Sequence, residues 1–389
     1  MQPFIPNPFQ FEGIVTGDKF CDRKDAIAEL LGYIYNSSNV IISMKRRVGK
    51  SSLIKEVFEN HADKQQVICA YVDIYGITST KELFTELKDE VEKILSITAK
   101  IVNFQESVKA AFADANILME ISKTPKISIE FSERNYAVAI KKLLLSLQNF
   151  AAHEKLKIAF AIDEFQKITK LEKEEMEKIE TNMRTAMQDC KNISFVLSGS
   201  NQTMLDKMFE ENRPLYRQGM HQYLSPIDKE VFYKWTSLKL QRKEIVISKE
   251  AFDYLYELSC GEAKIVQQAC FILFNKTKSL TQITLESICD TIEFMYKNNS
   301  EISTKFNSFK LNEQRMLKII AFEKGSGVTV SPYLQEYNVN HGSVSNILKG
   351  MVEKYIIKKN EAGQYEIVDT ELKLWILVKH KMLCLNDTP

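Results

Sequence analysis

The residues with the clearest chemical potential are Gly49-Lys50-Ser51. A glycine lets the backbone approach a ligand closely. A lysine ammonium can bridge two phosphates, and a serine hydroxyl is a magnesium ligand. The triplet lies in Lys45-Arg46-Arg47-Val48-Gly49-Lys50-Ser51-Ser52, between an apolar run and a helical pattern. In that context the loop N–H groups and the helix N-terminus face the β-phosphate of a nucleoside triphosphate. Arg47, Val48, Gly49, Lys50, Ser51 and Ser52 are therefore the expected ATP contacts. The complete pattern has another glycine five residues before Gly49, where this chain has Met44. The competing reading is a serine-capped helix start with exposed basic side chains.

A second pair of groups fits the first. The apolar run Ile158-Ala159-Phe160-Ala161-Ile162 leads straight into Asp163-Glu164. A parallel strand ends at the ligand edge of its sheet, so Asp163 is placed to hold Mg²⁺ together with Ser51. Glu164 is placed to polarise a water attacking the γ-phosphate. Two carboxylates at the end of a buried strand are costly unless a metal or cation compensates them; the bland alternative is that they cap the next helix. Ser198-Gly199-Ser200-Asn201-Gln202 ends another apolar run, and Ser200 or Asn201 is the expected sensor beside the γ-phosphate. A helix cap is the alternative there too.

The elements that must position these groups are legible as alternating strands and helices. Strands are expected at 39–43, 66–73, 157–162 and 193–198, with helices at 22–35, 52–59, 82–95, 136–152 and 174–189. The strands are almost continuously apolar, the pattern of a parallel sheet covered on both faces. The strand ending at Ser198 is expected between the other two ligand-edge strands. Residues 98–134 are less readable, with a helix and a strand at 127–131. After Pro226 only helices follow, at 229–241, 249–259, 263–275 and 285–298, then a polar, linker-like stretch at 298–304. Helices at 312–322, 331–337 and 343–354 and a hairpin at 355–368 then read as a winged helix-turn-helix. The fold class is thus an α/β P-loop NTPase core followed by a helical lid and a winged helix, divided as 1–225, 226–300 and 301–389. The Pro- and Phe-rich first twenty residues are expected as an arm on the first domain.

Bulk properties narrow the function classes. A chain of 389 residues, 44% hydrophobic and 26% charged, is an ordinary globular protein of two or three domains. A net charge of +1 gives no global field for nucleic acid or membrane. Seven cysteines with no CxxC pair argue against a disulfide framework or structural zinc, and fit a reduced compartment. Five scattered histidines offer no metal-ligand spacing. No apolar run reaches the roughly 18 residues of a membrane span, and the N-terminus lacks the features of a signal peptide. The expected location is the cytoplasm, with no membrane partner.

From Lys305 onward there are twelve Lys/Arg against nine Asp/Glu, a small excess. The expected recognition helix exposes His341, Ser343, Ser345, Asn346 and Lys349, carries Val344, Ile347, Leu348, Met351 and Val352 on its core face, and has no arginine. Sequence-specific readers usually place an arginine or several lysines there. Lys354, Lys358 and Lys359 lie at the helix end and on the wing. DNA and a protein surface both stay open as targets.

Phe20-Cys21-Asp22-Arg23, Arg46-Arg47-Val48-Gly49-Lys50-Ser51-Ser52-Leu53, Ile162-Asp163-Glu164-Phe165-Gln166 and Leu197-Ser198-Gly199-Ser200 together resemble archaeal-type ATPases of the STAND class, relatives of AAA+ proteins. The closing stretch from Ile367-Val368-Asp369 to Trp375-Ile376 is similar to the family's C-terminal signature. The resemblance implies a nucleotide-proximal Arg23 and an arginine finger at Arg217 or Arg213. Three departures stand out: Asp22 replaces a frequent glycine, Gly261-Glu262-Ala263 lacks the proline of the lid's Gly-x-Pro, and Arg217 comes one place early. The resemblance implies a switch in which ATP/ADP state controls the winged helix, with the lid and the stretch near 298–310 moving. Self-association into a homo-oligomer and slow, partner-activated hydrolysis belong to that expectation. The alternative is a DNA-binding regulatory or defence protein in which ATP is structural.

Overall fold

A computed structural model describes residues 5–43, 48–100, 103–120, 126–200, 202–360 and 362–383. The chain divides into two compact units, 12–226 and 1–11 together with 227–389.

The first unit contains α1 (Lys24–Tyr35), β1 (Val40–Ser43), α2 (Lys50–Glu56), β2 (Ile68–Asp73), α3 (Thr80–Thr98) and α4 (Phe104–Ala111). It continues with β3 (Ala115–Glu120), β4 (Lys126–Phe131), α5 (Tyr136–His153), β5 (Ile158–Asp163), α6 (Lys173–Asp189), β6 (Ile193–Gly199), α7 (Gln202–Met208) and β7 (Met220–Tyr223). The sheet order is β2-β5-β6-β1-β7, with every pairing parallel. As expected, β6 lies between β1 and β5. Three elements have no counterpart among the expected ones: β3, which pairs antiparallel with β4, the helix α7 and the edge strand β7.

Residue size along β5 sets the two faces. Ile158, Phe160 and Ile162 join the core formed with α3, α5 and α6. Ala159 and Ala161 point the other way, into the core formed with α1 and α2. Large residues fill one face, where each buried phenylalanine contributes about 1.5–3 kcal/mol. Small ones let α2 lie close to the sheet on the other.

In the second unit the elements are α8 (Lys229–Leu240), β8 (Val246–Ile247), α9 (Lys249–Leu258), α10 (Ala263–Lys276), β9 (Gln282–Ile283), α11 (Leu285–Tyr296) and α12 (Ser300–Asn307). Then come α13 (Leu311–Phe322), α14 (Tyr333–Glu336), α15 (His341–Glu353), the hairpin β10 (Ile357–Lys359) and β11 (Tyr365–Ile367), and α16 (Thr370–Lys379). The stretch at 298–304 is not a linker: Asn299 caps α12 by accepting from the Ile302 N–H at 3.0 Å, and Ile302 and Phe306 are buried. Its polar composition hid an apolar pair spaced i, i+4. The N-terminal arm belongs to this unit rather than to the first domain. Phe9 meets Trp235 and Phe274, and Asn7 donates to the Phe271 carbonyl at 2.9 Å. On α15, Val344, Leu348 and Met351 are buried, whereas Val352 is exposed.

Among the described residues no helix is long and apolar enough to cross a membrane. Among the described residues Cys21, Cys69, Cys190, Cys260 and Cys270 are free thiols, and Cys289 is disulfide-bonded.

Candidate functional site

The groups singled out by chemistry converge at the C-terminal edge of the parallel sheet. Gly49 precedes α2 with φ 97°, a conformation that favours glycine. Lys50 and Ser51 open the helix, and Lys50 is buried. Asp163 ends β5 at 2% exposure. Its Oδ1 accepts from the Ser198 hydroxyl and, at 2.9 Å, from the Glu164 N–H. Its Oδ2 accepts from the Ser51 hydroxyl and, at 2.7 Å, from the Tyr71 hydroxyl. Donors from four places in the chain thus hold one buried carboxylate, which is how such a group is retained away from water.

Glu164 has φ 59°, so the chain turns sharply as it leaves β5. Its Oε2 accepts from Gln166 Nε2 at 2.6 Å and from the Ser200 hydroxyl at 2.9 Å. Gln166 reaches it because residue 199 is glycine: a Cβ there would stand 2.1 Å from Gln166 Oε1. Asp73, opposite Asp163 in register, adds a third carboxyl at this edge. Burial raises its pKa, and the charges of Asp163 and Glu164 act in the same direction. Burial first, then the Asp163 charge, raises the Tyr71 pKa, keeping the phenol a proton donor.

The donor set fits a nucleotide-bound magnesium ion. Ser51 offers a hard oxygen of the kind magnesium takes while keeping water and phosphate as its other ligands, and Asp163 lies in contact with it. Among the described residues no group of three His, Cys, Asp or Glu could form an all-protein metal site. The Val48–Ser52 backbone is suited to phosphate.

The remaining expected residues fall in different places. Arg23, with φ 67°, donates to the Val48 carbonyl at 2.6 Å and to the Ser225 carbonyl at 2.9 Å, tying the loop to the end of the unit. Ser52 accepts from the Val15 N–H at 3.0 Å, so its hydroxyl is engaged with the chain entering the unit. Arg217 is exposed and lies over the Tyr216 ring at 4.9 Å. Arg213 is paired with the fully buried Glu180 of α6. Met44, Arg47 and Asn201 lie outside the described residues. Tyr71, Asp73, Gln166 and the bond from Ser198 to Asp163 were not read from the sequence. The available signal was polar residues at the end of an apolar strand, as at Tyr71 and Asp73.

A family model described as an ATPase domain predominantly from Archaea matches residues 20–269. No curated protein matches the chain. The Walker-type ATPase paby2304 of Pyrococcus abyssi superposes with a TM-score of 0.64 at 15% identity, over 95% of this chain and 99% of its own. The Aeropyrum pernix ORC2 protein, solved as ADPNP–ADP complexes, gives 0.57 at 13% identity, over 96% and 98%. At these identities the likeness is one of fold.

Proposed function

The chain belongs to the family of ATPase domains found predominantly in Archaea, and from that premise we propose an ATP-hydrolysing switch of the STAND type, located in the cytoplasm. In this reading 12–226 is the ATPase core, 227–300, with the arm 1–11 packed on it, a lid, and 301–389 a winged helix whose exposure depends on whether ATP or ADP is bound. The loop 47–52 cradles the phosphates and Lys50 bridges them. Ser51 and Asp163 hold Mg²⁺, which when bound supplies charge stabilisation at the phosphates. Glu164, aimed by Gln166 and Ser200, takes the proton of the attacking water. Arg23 fixes the loop through the Val48 carbonyl, and Arg217, exposed, serves as the arginine finger of a neighbouring copy or of its own site.

The observation that carries this reading is the contact of Ser51 with Asp163, two residues 112 positions apart. Glu262, at the N-cap of α10, accepts from the Thr370 hydroxyl, and Lys264 pairs with Glu371 at 3.7 Å. These contacts support coupling of the lid to α16, which also packs on α11, α12 and α13.

The test is a titration of Mg-ATP into wild type and Lys50→Ala, following melting temperature and phosphate release together. At a hundred times Kd, wild type should gain about 2.7 kcal/mol, and Lys50→Ala should lose both the gain and the turnover. A wild type that shows neither response removes the proposal.

A further inference from the structure

The hydrogen bond from Tyr71 to Asp163 gives β2 a part in the site that no motif assigns to it. Tyr71 stands opposite Ala161 in the β2–β5 register, with Asp163 two residues further along the same face. Because Ala161 is small, the phenol ring can lie along the strand and place its hydroxyl 2.7 Å from Asp163 Oδ2. Lys55, one helical turn after Ser51 on α2, stands 4.3 Å from the centre of the same ring. One tyrosine thus touches both the helix that carries Ser51 and the carboxylate that Ser51 meets.

We propose that Tyr71 is a positioning residue for magnesium: its hydroxyl fixes the Asp163 carboxylate so that Asp163 accepts the Ser51 proton and leaves the Ser51 lone pairs directed at the ion. A hydroxyl has one proton and two acceptor lone pairs. While Ser51 spends its proton on Asp163, both lone pairs stay available for ligation. Ser198 and the Glu164 N–H hold only Oδ1. On Oδ2 the second donor is Tyr71, so its loss lets that oxygen turn and frees the Ser51 hydroxyl from a fixed acceptor. Residues that orient metal ligands typically change metal affinity by about 10–100-fold when removed.

The inference rests on the function proposed above, and its test separates the two. Tyr71→Phe removes the hydroxyl and keeps the ring under Lys55. With the full chain, the melting temperature is followed at fixed ADP, first in EDTA and then across a Mg²⁺ titration. The expected result is an unchanged stabilisation by ADP in EDTA, with the half-saturating Mg²⁺ concentration raised about tenfold. If wild type responds to Mg²⁺ and Tyr71→Phe responds at the same concentration, the positioning role is overturned and the ATPase reading stands. If the variant loses ADP stabilisation in EDTA to the same degree, its role is general packing and the inference fails. A wild type unaffected by ADP and Mg²⁺ removes both.

Discussion

The sheet edge of the first unit and the last helices of the second treat their polar groups in opposite ways. At the edge, Ser51, Tyr71, Ser198, Ser200 and Gln166 converge from separate elements on two carboxylates. In the C-terminal stretch two of the lysines that could meet a phosphate backbone, Lys354 and Lys358, are closed onto their own acids, while Lys359 lies over the Tyr365 ring. Lys354 bonds Glu313 at 2.6 Å, and Lys358 pairs with Glu366 at 2.8 Å. The first arrangement gathers donors on acids; the second pairs two of its lysines with acids. Groups dedicated to a polyanion are usually left open to it. At Lys354 and Lys358 this contrast favours the proposal that the C-terminal stretch docks on protein over the proposal that it reads DNA.

The largest expected effect tests the first half of the comparison. Glu164→Gln preserves the shape that Gln166 and Ser200 recognise but removes the proton acceptor. Phosphate release should fall by roughly 10²–10⁴-fold, while stabilisation by Mg-ATP stays as in wild type. Equal turnover would mean that Glu164 only ends the strand.

How far these regions could be read beforehand follows the range of the interactions. The strands β1, β5 and β6 announce themselves because both faces are buried. The helix start at Gly49 and the acidic strand end at Asp163 are local patterns and were legible too. Tyr71 was not, because it meets Asp163 across 92 positions through strand register alone. The edge strand β7 was missed because Met220, His221 and Tyr223 are exposed and only Gln222 is buried. Its side chain donates to the Ala26 carbonyl at 2.9 Å, a long-range partner. The arm failed similarly: Phe9 carries no sign of which core it will join.

Another buried carboxylate in the same unit sharpens the contrast, because it is compensated by a cation. Glu180 is fully buried, and Arg213 is its partner. Arg213→Ala strands that carboxylate, which should cost about 3 kcal/mol, the lower end for a broken buried pair, because Arg213 keeps 29% of its side-chain surface exposed. Burial, the leading cause, raises the Glu180 pKa even with Arg213 present. The folded state therefore holds the proton more tightly than the unfolded chain, and stability falls as pH rises from the unfolded value to the folded one. Without Arg213 that fall should be steeper, which urea unfolding across the acidic range would measure. An unchanged pH dependence would mean that the pair is not what keeps Glu180 in place.

The smallest effect bears on the C-terminal stretch. Burial pushes the Glu313 pKa up, but the hydrogen bond from Lys354, the Lys310 N–H and the charges of both lysines outweigh it, leaving a net lowering. That stabilisation is present above the unfolded pKa and fades as pH falls through the folded one. Lys354→Ala should cost under about 1 kcal/mol at neutral pH, because the lysine is half exposed, and the difference should vanish in acid. The same variant tests the role of the helix end. A phosphate-contacting Lys354 would contribute about one unit to the slope of log affinity against log salt. On the docking reading, wild type shows no salt-dependent DNA affinity to lose, and Lys354→Ala changes stability alone. A measurable wild-type slope that falls by one in the variant would mean that the lysine leaves Glu313 for phosphate, and the contrast between the two regions would be one of resting state rather than of function.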